Sequence, residues 1–138
     1  MHDITPTQRL HLWLESGSDM FLGLGRVQLL ERVEECGSLN KAAQAMGMSY
    51  RAAWGRLKRS ESVLGAALVE KTGPKQGFRL TELGRDLVKR FRDWHAEVER
   101  FALERARRTF PWPVEAFGEP CPAGTPADPE KTPRATCP

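Results

Sequence analysis

Between Lys41 and Arg79 the chain carries Lys41, Arg51, Arg56, Lys58, Arg59, Lys71, Lys75 and Arg79 against only Glu61 and Glu70. Eight cations less two anions give +6 in this segment, whereas the whole 138-residue chain carries +3. The remainder is therefore net negative, and the positive charge is concentrated. A concentrated cationic surface neutralises phosphates, and an arginine adds a two-pronged donor for a base edge. A solvated charged face has the same composition, so charge alone does not decide. The neighbouring residue types narrow the reading. Ser49, Tyr50 and Arg51 stand together, with Gly55 and Lys58 further along the same side of a helical pattern.

Positioning such a cluster requires a rigid support, and the sequence punctuates one. Val27, Leu30, Val33 and Cys36 recur at helical spacing, and Gly37 is a natural stop. Cys36 is expected as a buried free thiol on that face. Ser38 caps a second helix from Leu39 to about Met46, and Ser49 caps a third from Tyr50 to about Leu64. Ala43, Gly47 and Ala53 are spaced by four and then six. Two helices crossing steeply over a tight turn need a small residue facing the partner, a residue tolerant of positive φ, and a third close contact. These three positions supply them. Leu39, Ala42 and Met46 complete the inner face, and Met48 plugs the turn.

Upstream, "LHLWLES" and "MFLGL" flank the turn signal "GSD" and predict a β-hairpin. Downstream, "ALVEK", the turn-rich "TGPKQG" and "FRL" predict a second one, with Lys71, Lys75 and Arg79 on its loop and flanks. Thr81 caps a long helix, about residues 81–108, some 28 residues or roughly 40 Å. The predicted class is mostly α with small β (α+β): a winged helix-turn-helix with an N-terminal β-hairpin and a long C-terminal helix.

The stretches "ECGSLNKAAQAMGMSYRAAWGRL" and "LVEKTGPKQGFRLTELGRDLV" resemble the DNA-binding domain of LysR-type regulators. They resemble more closely the N-terminal domain of the ModE family of molybdate-responsive regulators. "MSYRAAW" and "LTELGRDL" carry most of the likeness, which spans about Leu10 to Phe101. The resemblance implies a bacterial homodimer that binds operator DNA; the cytoplasmic location expected of it follows instead from the lack of a membrane-length apolar run or secretory signal. No effector or molybdate-binding domain follows the match, so no small-molecule effector and no cofactor is expected. Two positions depart from the family pattern. Gly55 stands mid-helix, at a cost of about 1 kcal/mol against Ala, and Ser60 replaces a larger apolar residue.

In such domains the start of the third helix enters the major groove. Ser49, Tyr50, Arg51, Gly55 and Lys58 are thus the candidate contacts, with Arg51 suited to guanine and Lys58 to phosphate. Trp54 has two readings, partial burial beside Ala53 and Leu57 or contact with DNA. Asn40 and Lys41 could hold the backbone, and Lys71, Lys75 and Arg79 form the wing contacts. On the long helix Leu83 and Leu87 cover the domain's own core. Phe91, Trp94, Val98 and Phe101 continue the seam beyond it, an aromatic stripe expected to pair two copies, with the N-terminal hairpin assisting.

Residues 1–108 are read as the DNA-binding domain. Residues 109–138, with eight of the ten prolines, are read as a disordered tail, although Trp112 and Phe117 could fold back. Cys121 and Cys137 in this tail could pair under oxidation. The three cysteines and the scattered His2, His11 and His95 match no metal pattern. No apolar run reaches the length of a membrane helix, and "MHDITPTQRL" is not a secretory leader. No nucleophile, base and orienting group cluster, and no phosphate-cradling loop is present, so catalysis is not expected. The rival reading, motivated by Gly55, Ser60 and the long aromatic helix, is a winged-helix dimer that binds a protein without specific DNA recognition.

Overall fold

The structure, a computed structural model, describes residues 3–73 and 77–118. Its chain order is β1 (Thr7–Gln8), β2 (Trp13–Ser16), β3 (Asp19–Gly23), α1 (Leu24–Cys36), α2 (Leu39–Ala45), α3 (Tyr50–Leu64), β4 (Val69–Lys71), β5 (Phe78–Leu80), α4 (Glu82–Thr109) and β6 (Glu115–Ala116). Leu12–Arg92 form one compact unit. The second joins the chain up to His11 to the chain from Asp93 onward.

In the first unit, β2 and β3 form the expected antiparallel hairpin, with a register shift between Leu14 and Glu15. The caps are those the sequence predicts. Gly37 adopts φ 68° and closes α1 with an N–H donated to the Val33 carbonyl at 2.8 Å. The Ser38 hydroxyl accepts from the Lys41 amide at 3.2 Å, and that of Ser49 from the Ala52 amide at 3.1 Å. Each satisfies one of the amides that a helix start leaves unpaired. Gly47 turns the chain between α2 and α3 with φ 70°.

The core of this unit draws Leu29, Leu30 and Val33 from α1, Leu39, Ala42 and Ala43 from α2, and Ala53 and Leu57 from α3. Leu68, Val69, Phe78 and Leu80 close it from the second hairpin. Ala43 and Ala53 are both fully buried, as close helix crossing requires. Met46, Met48, Leu83 and Leu87 pack around the edge. Cys36 is not part of this core. The last turn of α1, residues 34–36, extends past Val33 into solvent, and the thiol is exposed.

The start of α4 is fixed to the second hairpin. The Thr81 hydroxyl donates to the Ala67 carbonyl at 2.7 Å and accepts from the Gly84 amide at 3.1 Å. A Cβ on Gly84 would stand 2.4 Å from the Leu68 carbonyl oxygen, so only glycine permits this approach. Arg92 clamps α4 to α1 with two hydrogen bonds to Glu31, at 2.9 and 2.7 Å. The arrangement of α1, α2, α3, β4, β5 and α4 is a winged helix-turn-helix.

The seam on α4 differs from the sequence expectation at one residue. Phe91 is 2% exposed, so its own chain covers it and it offers nothing to a partner surface. Trp94 and Val98 are half-buried, whereas Phe101 is 66% exposed.

In the second unit, β1 and β6 pair in parallel, Thr7 opposite Glu115 and Gln8 opposite Ala116. Gln8 donates to the Glu99 carbonyl at 3.1 Å, and Arg107 donates to the Val114 carbonyl at 2.7 Å. The Arg9 guanidinium lies 3.9 Å above the Phe117 ring. Residues 110–118 are therefore folded, which corrects the tail boundary drawn at residue 109. Val114 is buried and the backbone finds a strand partner, and these interactions offset the ordering cost that proline-rich composition implied. The rest of the expected tail, with Cys121 and Cys137, lies outside the described residues.

Candidate nucleic-acid interface

The α2–turn–α3 corner presents the start of α3 to solvent. Asn40, Lys41, Ser49, Tyr50, Arg51, Gly55 and Lys58 are all exposed. Ser49 is committed to its cap, so its hydroxyl serves α3 first. Tyr50 is 40% exposed and stacks on Trp54, with ring centroids 6.3 Å apart and planes within 10°.

Trp54 is partly buried. It packs at the edge of the core and meets Phe78 of β5 edge-on at 6.2 Å. The Lys58 ammonium lies 4.3 Å above the Trp54 ring, a cation–π geometry. Trp54 therefore joins α3 to the second hairpin and carries Tyr50 and Lys58 on its two sides.

The cations divide into two groups. Lys58 pairs with Glu61 at 3.0 Å, and Arg79 pairs with Glu70 at 2.8 Å. Lys41, Arg51, Arg56, Arg59 and Lys71 make no ion pair among the described residues, and all are exposed. Lys75 lies outside the described residues. The unpaired positive charge of α3 thus resides on Arg51, Arg56 and Arg59. Arg56 and Arg59 were not among the contacts singled out from the sequence.

Three further residues position this face without being readable from local pattern. Glu61 is buried at the back of α3 and accepts from the amides of Leu68 and Val69, at 2.7 and 3.3 Å. It holds the first strand of the wing against the helix. The wing's return strand is held by the Phe78 amide, which donates to the Gly37 carbonyl at 3.0 Å. Ser60 is fully buried, accepts from the Arg26 guanidinium, and donates to the Phe21 carbonyl at 2.7 Å. Its departure from an apolar type therefore has a structural reason: it ties α3 to α1 and to the N-terminal hairpin. Burial, and then the charges of Arg59 and Arg56, push the Arg26 pKa down from its ordinary value.

Residues 24–85 match the family described as bacterial regulatory helix-turn-helix protein, lysR family. The match begins at α1 and ends four residues into the α4 segment, so it covers the three helices and the wing just described. Residues 24–85 form a LysR-type helix-turn-helix domain.

Two curated relatives of this LysR-type domain carry the name ModE. The chain is 36% identical over 83 residues to the molybdenum transport protein ModE of Azotobacter vinelandii, covering 58% of this chain and 30% of that one. It is 37% identical over 59 residues to the transcriptional regulator ModE of Haemophilus influenzae, covering 42% of this chain and 23% of that one. The chain thus spans less than a third of the length of these curated relatives. In fold it is similar to the LysR family transcriptional regulator VV2_1132, with a TM-score of 0.52 and 21% identity over 65% of this chain and 30% of that one. Among the described residues, no helix is long and apolar enough to cross a membrane, and no cluster of His, Cys, Asp or Glu could hold a metal ion.

Proposed function

We propose that the chain is a sequence-specific double-stranded DNA-binding transcriptional regulator of bacterial, cytoplasmic type, acting as a homodimer. One observation carries the reading: the exposed face of α3 in a LysR-type domain bears arginines that make no ion pair among the described residues. Arg51 at its start donates to a base edge, while Asn40, Lys41, Tyr50 and Lys71 meet sugar and phosphate. Lys58 and Arg79 act from their ion pairs as secondary phosphate contacts. Phosphate contacts supply affinity and salt dependence, and Arg51 supplies sequence preference.

The homodimer reading rests on α4, where Trp94, Val98 and Phe101 share one face with Glu97 and Glu104 along a shallow groove. Two copies paired there would present two α3 helices to successive major-groove faces, about 34 Å apart or a multiple of it.

Selection of duplexes from a random library by the purified full chain tests the proposal. Recovery of a palindromic motif with a fixed half-site spacing is expected. Recovery of no motif, with only weak salt-sensitive binding, would favour the protein-interaction reading.

A further inference from the structure

Gly55 is the unexplained residue of the domain. It lies in the second turn of α3 with ordinary helical backbone, so no positive φ calls for glycine. A Cβ built on it meets nothing within 4 Å. The contrast with Gly84, where the Leu68 carbonyl excludes a side chain, is complete. Nothing among the described residues requires a glycine at position 55, yet glycine weakens an exposed helix interior.

The neighbours of Gly55 indicate what lies opposite. Arg51, Gly55 and Arg59 are four residues apart and all exposed. At about 100° per residue, each step of four turns about 40°, so the two arginines splay to either side of the glycine. They are separated by about 12 Å along the helix axis. Neither makes an ion pair among the described residues. The adjacent row, Tyr50, Trp54 and Lys58, is tied together by ring stacking and the Lys58–Trp54 contact, so it cannot swing across the gap without losing those contacts.

We infer that Gly55 is a close-approach slot in α3, admitting the edges of base pairs to the helix backbone between Arg51, which reads a base edge, and Arg59, which reaches a phosphate. A B-DNA major groove about 12 Å wide accepts an α-helix, and a position without a Cβ lets the helix backbone come closer to the base edges. The inference rests on the DNA-binding reading. It adds Arg59 as a phosphate contact and gives the helix-weakening glycine a role.

Gly55→Ala and Gly55→Leu test it, each in the full chain. Both are melted without DNA and titrated by fluorescence anisotropy against the library-selected duplex and a scrambled duplex of equal length. Gly55→Ala is expected to raise Tm by roughly 4 °C, because Ala favours helix and meets no clash. The same variant is expected to bind the selected duplex about tenfold more weakly, a loss of about 1.4 kcal/mol, and Gly55→Leu about a hundredfold more weakly. Stability and affinity moving in opposite directions is the signature of a slot. Arg59→Ala is expected to weaken both duplexes alike and to flatten the salt dependence by about one phosphate contact. If Gly55→Ala melts higher and binds the selected duplex as tightly as wild type, the slot is refuted while the DNA-binding reading stands. If the wild-type chain prefers no duplex, that reading fails and the slot with it.

Discussion

The Ser60 hydroxyl on α3 receives a hydrogen bond from the guanidinium of Arg26 on α1, and the pair is buried. Ser60 in turn donates to the Phe21 carbonyl on β3, and Arg26 reaches the Met20 carbonyl at 3.4 Å. A buried guanidinium without a carboxylate is tolerated only while its donors find oxygen. This small network fixes the angle at which α3 leaves the domain.

Replacing Ser60 should therefore destabilise the domain, even by an apolar residue of similar size. Ser60→Val removes the acceptor of Arg26 and the donor to Phe21 together. A loss of about 1–3 kcal/mol is predicted, measured as a lower urea midpoint at unchanged slope. A midpoint equal to or above wild type would mean that the network contributes nothing net.

Gly84→Ala should be costlier than any other glycine-to-alanine change on the helices. The new methyl would meet the Leu68 carbonyl oxygen at 2.4 Å, and backbone cannot move aside as a side-chain tip can. Overpacking of this kind costs about 1–3 kcal/mol. Thermal unfolding followed by circular dichroism should show a lower Tm, opposite in sign to Gly55→Ala.

Those two glycines show how far the sequence could be read. The α2–turn–α3 corner was legible because its signals are local: Ser38, Gly47 and Ser49 act within a few residues of themselves. The β4–β5 hairpin was legible for the same reason. Other features depend on partners distant in the chain. Glu61 reads as a surface helix charge until the amides of Leu68 and Val69 are seen on it. Phe91 and Cys36 both continue an apolar helical period, yet one is covered and the other is not, because the period does not say where the neighbouring layer ends. For residues 110–118 Trp112 and Phe117 hinted at a fold-back, but proline content masked its extent, since buried Val114, the pairing with β1 and the Arg9–Phe117 contact all need partners distant in the chain.

Glu61→Ala should loosen the wing. It leaves the Leu68 and Val69 amides without their carboxylate and releases the Lys58 ammonium. Hydrogen bonds to a charged acceptor contribute about 1.5–3 kcal/mol each, so a destabilisation of at least 2 kcal/mol is predicted. Amide hydrogen exchange at Leu68 and Val69 should accelerate more than exchange in α1. Equal acceleration throughout would show that Glu61 holds no local structure.

The proposed dimer face predicts a shift in assembly. Phe101 exposes more of itself than any other large apolar residue on the described surface, and a carboxylate there would be desolvated on pairing. Phe101→Asp should move the full chain from dimer to monomer in sedimentation velocity at micromolar concentration, with helical content unchanged. A dimer that persists in this variant would place the interface elsewhere.

In the proposed complex the outward face of α3 reads DNA through Arg51. Anisotropy titrations of wild type and Arg51→Ala, on the selected duplex and on a scrambled one, test it most directly. Removing a base-edge arginine should cost about 1–3 kcal/mol on the selected duplex and little on the scrambled one, so the preference between them collapses. An Arg51→Ala protein that keeps the full preference of wild type would contradict the account.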